Sequence, residues 1–153
     1  MRRFVLAAIL AVAIVFSVIC ATAEAKEEVI LEFEDFQYVV RKDGSAELIR
    51  HKGEETPAEL TIPNELDGHP IMAVRKNPFA DYDANQVNVL VPQDHPYLTV
   101  VDGVLFGKSD GKLICYPTTL AAGTYAIPEG VQSIAECAFY WCDNLTGVRS
   151  PTA

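Results

Sequence analysis

The sequence predicts a mainly β protein in which the chain winds into a short solenoid of stacked strands. Three observations carry this. Short apolar runs closed by proline recur at Leu60-Thr61-Ile62-Pro63, Val89-Leu90-Val91-Pro92 and Tyr125-Ala126-Ile127-Pro128. Within residues 127–151, apolar residues fall at Ile127, Val131, Ile134, Ala138, Phe139, Leu145 and Val148. That spacing drifts among three, four and six, so neither one helix nor one strand accounts for it, whereas one turn of a coil does. Asp-Gly pairs at Asp43-Gly44 and Asp110-Gly111 separate strand-like runs, a hairpin signal because glycine supplies the positive φ of the turn.

Residues 1–25 stand apart as a signal helix. Arg2 and Arg3 precede an apolar run from Phe4 to Ile19 broken only by Ser17, and Ala21-Thr22-Ala23 and Ala23-Glu24-Ala25 offer small-x-small cleavage sites. This is the layout of a secretory signal peptide. The run is short against the ~20 residues of a spanning helix, so membrane contact is expected only during export. Ile19 stands where a lipoprotein signal ending at Cys20 needs a small residue.

Residues 26–59 come next as a strand and a hairpin. Residues 29–36 alternate loosely, and Phe36-Gln37-Tyr38-Val39-Val40 and Ala46-Glu47-Leu48-Ile49-Arg50 flank the first Asp-Gly turn. This hairpin is expected to cover the first coil, as the end of an open stack requires. Residues 60–153 then read as repeats. Residues 64–70 form an inserted turn, and Ile71, Val74, Pro78 and Phe79 restore the inward pattern, with Pro78-Phe79 standing where Ala138-Phe139 stands later. Residues 100–106 and 113–117 form a second, inserted hairpin around residues 107–111. Strands at 125–128 and 145–151 complete the count. The chain closes one strand after its only full-length repeat, so an incomplete solenoid without a C-terminal cap is expected, with self-association at that end.

Period-2 alternation along the strands gives two sides. The inward side and the plugs between strands form the expected core: Ile62, Phe79, Val91, Ile127, Ile134, Phe139, Leu145 and Val148. The outward side forms a column of Thr61, Leu90, Ala126 and Arg149, the candidate binding face.

The run Ile127-Pro128-x-x-Val131-x-x-Ile134-x-x-x-Ala138-Phe139-x-x-Cys142-x-x-Leu145-x-x-Val148-x-x-Pro151 resembles, position for position, the BspA-type leucine-rich repeat of bacterial surface proteins. The Val-Asp-Gly-Val-Leu-Phe and Leu-Ile-Cys-Tyr-Pro pair at residues 101–106 and 113–117 is similar to a variant coil of that family, in which an N-terminal hairpin often precedes the repeats. The resemblance implies a bacterial surface or secreted protein engaged in adhesion and in binding a host or envelope protein. The rival reading is a structural spacer, or a truncated fragment of a larger envelope protein, with no ligand of its own.

Charge and motifs narrow the chemistry. Removing Arg2, Arg3 and Glu24 with the signal segment takes the net charge from −9 to −10, a surface that repels phosphate backbones, so no nucleic-acid partner is expected. Cys115, Cys137 and Cys142 remain, an odd number that does not make a disulfide framework. Cys115 and Cys142 read as buried thiols. Cys137 is read as exposed, either free or bonded to Cys142. Asp81-x-Asp83-x-Asn85 resembles half a calcium loop but has Gln86 and Pro92 where the loop needs glycine and glutamate. His51, His69 and His95 lack metal spacing and read as surface loop residues. Glu54-Glu55 and the Glu32, Glu34, Asp35 group read as solvated charge. No nucleophile elbow, phosphate loop or zinc-protease motif occurs. No cofactor, metal or enzymatic activity is expected.

Overall fold

The computed structural model describes residues 28–53, 57–81, 87–120 and 123–151. The expected signal segment, Glu54-Glu55, and Asp83 and Asn85 of the calcium-like run lie outside them. The described residues contain strands and turns and no helix.

β1 (Leu31–Phe33), β2 (Phe36–Val40) and β3 (Ala46–His51) run antiparallel in succession, the β2–β3 turn falling at Asp43-Gly44. After β4 (Glu59–Thr61), a small hairpin of β5 (Glu65–Leu66) and β6 (His69–Val74) lays β6 parallel to β3. β7 (Asn88–Leu90) then returns parallel to β4. β8 (Leu98–Val101), β9 (Val104–Gly107) and β10 (Lys112–Cys115) form an antiparallel sheet. β11 (Gly123–Ala126), β12 (Ser133–Ile134) and β13 (Leu145–Arg149) complete the chain, β12 parallel to β10 and β13 parallel to β11.

The same hairpin-and-coil unit is built twice. Asp43 Oδ1 accepts the Ser45 N–H at 3.0 Å, and Asp110 Oδ1 accepts the Lys112 N–H at 3.2 Å. Leu48 faces Val74 across parallel strands as Leu113 faces Ile134. The Arg75 N–H donates to the Leu48 carbonyl as Ala135 donates to Leu113, and His51 donates to Pro78 as Tyr116 donates to Ala138. Ile62 donates to Leu90 at 2.9 Å, and Ile127 donates to Arg149 at the same distance. The aromatic plugs repeat too: His51 lies 6.3 Å from Phe79 and Tyr116 lies 5.6 Å from Phe139. Backbone donors and acceptors must be satisfied wherever they are buried, and both halves satisfy them by one scheme.

Each unit has its own apolar cluster. The first gathers Phe36, Tyr38 and Leu48 from its hairpin with Ile62, Ile71, Val74, Phe79 and Val89 from its coil. The second gathers Val104, Phe106, Leu113 and Tyr116 with Ala135 and Ala138, and Val131, Phe139 and Leu145 pack against these from half-buried positions. The two units meet where Lys76 bridges Glu136 in parallel. There Asn77, fully buried, donates its backbone N–H to the Glu136 carbonyl at 2.9 Å and its Nδ2–H to the Cys137 carbonyl at 3.0 Å.

Several expectations change. Ile62 and Phe79 are fully buried, while Val91, Ile127, Phe139 and Leu145 are half-buried. Ile134 and Val148, expected inside, are 50% and 43% exposed, against 1% and 2% for Val74 and Val89 at the matching places of the first unit. The physical reason is position: residues 97–115 pack over the first unit, and no described residue packs equivalently over the second. The strands expected in one continuous column form two separate pairs, β4 with β7 and β11 with β13, because the intervening chain forms β8–β10. The run 100–106 is broken by a turn at Asp102-Gly103, with φ of 50° and 82°. His51 and His95 are buried rather than in surface loops. The His95 Nδ1 accepts the Tyr97 and Leu98 N–H groups at 3.1 and 2.9 Å, while its buried Nε2 has no hydrogen-bond partner among the described residues.

Candidate interaction surfaces

The outward column stands on the parallel strand pairs. Thr61 lies beside Leu90 in register, and Ala126 lies beside Arg149. All are exposed. Parallel pairing in register sets neighbouring side chains at the inter-strand spacing of about 4.8 Å, so each pair presents two side chains to one face. Below Thr61 and Leu90, Asn88 donates its Nδ2–H to the Glu59 carboxylate at 3.3 Å. The surface is mixed: one aliphatic side chain, one guanidinium and two small residues. No acid–base pair or nucleophile stands among them. The separation of the strand pairs divides the expected column into an upper and a lower half.

A second surface lies at the seam between the units and went unnoticed in the sequence. Lys76, Ala80 and Asp81 from the first unit and Cys137, Tyr140 and Trp141 from the second line an open hollow of about 360 Å³. Tyr140 and Trp141 meet edge to face with ring centroids 5.1 Å apart, and both are exposed. Asp81 accepts from Arg50 at 3.1 Å and stands 4.0 Å from Lys76, so both cations at this edge are paired with it. Cys137 and Trp141 hold left-handed φ values of 60° and 61°, which a side-chain-bearing residue adopts at some cost. The Asn77 hydrogen bond to the Cys137 carbonyl is one contact that holds that conformation. The adjacent Tyr-Trp letters were the available signal for this surface.

The remaining titratable groups serve the fold. Cys137 and Cys142 are free thiols. Cys142 donates to the Tyr116 carbonyl at 3.3 Å, and burial, aided by Asp143, pushes its thiol pKa up, which keeps it protonated. Cys137 lines the seam hollow, whereas Cys142 lines a small hollow with Tyr116 and Leu120. Burial holds His95 neutral, its pKa lowered to about 4 against the opposing pull of the Pro63 carbonyl. Its carbonyl accepts from Lys108 Nζ at 2.7 Å. Nearby, the Tyr97 hydroxyl donates to Asp110 at 2.7 Å. That contact requires Gly107, since a Cβ there would stand 2.4 Å from both the Tyr97 hydroxyl and Asp110. Among the described residues no group of three His, Cys, Asp or Glu side chains could hold a metal ion.

No protein-family model matches the sequence, and none of the curated proteins does. Solved structures do. A leucine-rich repeat protein from Eubacterium ventriosum superposes with a TM-score of 0.50 at 18% identity, over 60% of this chain and 23% of that one. The pneumococcal vaccine antigen PcpA gives 0.47 at 24% identity, over 60% and 21%. A leucine-rich cell surface protein from Faecalibacterium prausnitzii gives 0.43 at 15% identity, over 80% and 43%. This chain therefore spans less than half the length of each. The fold is the leucine-rich repeat solenoid of bacterial repeat proteins.

Proposed function

Taking the leucine-rich repeat fold as premise, we propose that this chain is an exported, non-enzymatic module that binds a protein at the bacterial surface or in the medium. Its outward column of Thr61, Leu90, Ala126 and Arg149 makes the contact. The observation that carries the reading is that column: solvent-facing side chains held in register on rigid parallel strands within a repeat fold. A stack of this kind presents side chains at fixed intervals, so individually weak contacts add. An exposed leucine beside a threonine supplies apolar area, and the Arg149 guanidinium supplies directional pairing to a carboxylate.

Two further features support the reading. The signal-like segment at residues 1–25 directs the chain out of the cytoplasm. The β2–β3 hairpin contributes Phe36, Tyr38 and Leu48 to the first unit's apolar cluster, which supports its reading as the terminal element of a stack. Adhesion to a host or envelope protein follows as the biological role.

The test is binding of residues 26–153 to immobilised extracellular-matrix and envelope proteins, compared with a Leu90→Asp, Arg149→Glu double variant. Saturable binding lost in the variant, with an unchanged circular-dichroism spectrum, is expected. Equal binding by the variant removes the column from the contact. An absence of saturable binding by either leaves the chain a spacer.

A further inference from the structure

The seam between the two units carries a pair of rings that the repeat itself does not call for. Phe79 and Phe139 fill matching places, so Ala80 and Asp81 of the first unit match Tyr140 and Trp141 of the second. One coil is thus built with a methyl group and a carboxylate where the other carries two aromatic side chains. Burial does not account for the rings either, since Tyr140 and Trp141 are 47% and 46% exposed. Trp141 moreover holds a φ of 61°, a left-handed backbone that glycine, asparagine or aspartate adopts at less cost than a bulky side chain. Such strain collects where a side chain serves a ligand rather than the fold. The two rings share a hollow of about 360 Å³ with Lys76, Ala80, Asp81 and Cys137, at the lower end of the roughly 300–1,000 Å³ of small-molecule sites. Both of its walls belong to described residues.

We propose that this hollow is a carbohydrate-binding site, taking a pyranose ring of a neutral saccharide against Tyr140 and Trp141. The rings are inclined at 62° with centroids 5.1 Å apart, a corner rather than a flat platform, which suits the chair of a sugar better than a planar ligand. The negative π face of either ring attracts the weakly positive C–H groups on the apolar side of that chair. The polar rim has mixed sign, with Asp81 bonded to Arg50 at 3.1 Å and 4.0 Å from Lys76. An ionic ligand of either sign meets a like charge there, which a neutral polyol does not. A sugar hydroxyl both donates and accepts, so it can accept from Lys76 and donate to Asp81. A proline-rich segment brings carbonyls but no N–H for the carboxylate. The Tyr140 hydroxyl and the Trp141 indole N–H add two donors. The Asn77 bond to the Cys137 carbonyl at 3.0 Å ties one wall to the other, which fixes the two halves of the hollow before a ligand arrives. The hollow shares no residue with the outward column, so this inference stands or falls apart from the function proposed above.

Trp141 is the chain's single tryptophan, so its fluorescence reads this hollow alone. The purified protein is titrated with chitotetraose, cellotetraose, maltotetraose and lacto-N-tetraose, with a decaproline peptide as the comparison. The expected result is a saturable change in emission with at least one tetrasaccharide, and binding of decaproline at least tenfold weaker. By calorimetry, Trp141→Asn and Tyr140→Ala should each weaken binding of that saccharide at least tenfold, while Leu90→Asp combined with Arg149→Glu leaves it unchanged. The thermal midpoint of Trp141→Asn should equal or exceed the parent's, because asparagine tolerates the left-handed backbone; a ring that served packing would lower it when removed. No saturable response to any of the tetrasaccharides, unchanged binding in Trp141→Asn, or a lowered midpoint would overturn the proposal. Preferential binding of decaproline would assign the hollow to a peptide and overturn it as well.

Discussion

The two units share a set of matching backbone hydrogen bonds and differ in enclosure. In the first, Ile62, Val74, Phe79 and Val89 are sealed between the β2–β3 hairpin and residues 97–115. In the second, Ile127, Ile134, Phe139 and Val148 lie beside their hairpin, and among the described residues no further element packs over them. The backbone scheme therefore specifies the coil, while burial is contributed by the neighbour. A repeat of this kind cannot enclose its apolar side alone, and its stability is shared with the element stacked on it.

The largest expected effect breaks that comparison directly. Phe79→Ala should cost about 4 kcal/mol in urea denaturation, the range for a fully buried ring. Phe139→Ala, whose ring is half-buried, should cost about 2 kcal/mol. Equal costs would mean the two units are equally enclosed.

A pH titration separates the units next. The His95 pKa of about 4 lies below the ordinary 6.5 because burial disfavours the charged ring. The unfolded chain therefore binds the extra proton first as pH falls. Stability from this group is complete above about pH 6.5 and declines by ~1.4 kcal/mol per unit toward pH 4, about 3 kcal/mol in all. His95→Asn keeps an acceptor for the Tyr97 and Leu98 N–H groups and should flatten that part of the profile. A variant profile parallel to the parent's would remove His95 as the cause.

The seam gives a smaller effect. Asn77→Ala leaves the Cys137 carbonyl and the Phe79 N–H without their side-chain partner and should cost about 2 kcal/mol. Cys137→Ser, at the matching place of the second unit, should cost less than about 0.5 kcal/mol. Smallest is the difference between the turn residues. Asp43→Ala loses one short turn and about 1 kcal/mol, whereas Asp110→Ala also strands the Tyr97 hydroxyl and should cost about 1 kcal/mol more. Thermal melts of the two variants measure it.

The fold class was legible because proline-closed strands and Asp-Gly turns are local signals. The plug pairing of Phe79 with Phe139 was legible for the same reason. The doubled unit was not. Leu48 and Leu113 are 65 residues apart, but Val74 and Ile134 only 60, because the β5–β6 hairpin adds residues to the first coil, and a drifting offset hides a period. Asp67-Gly68 and Asp102-Gly103 carried the hairpin signal that Asp43-Gly44 did, with φ values near 50° and 80°, but they sit inside runs that read as an insertion and a strand. The buried state of His95 was invisible because its partners are backbone groups. The outward column was readable residue by residue. Its separation into two strand pairs was not, since no local letter records which strands fail to meet.

Native-state hydrogen exchange at two amides tests the account most directly. The Ile62 and Ile127 N–H groups make the same 2.9 Å bond at matching places of the two units. The expected result is that Ile62 exchanges only through global unfolding, while Ile127 exchanges at least tenfold faster through opening of the second unit. Equal protection at both would contradict the claim that enclosure by a neighbour, rather than the coil itself, sets the stability of each unit.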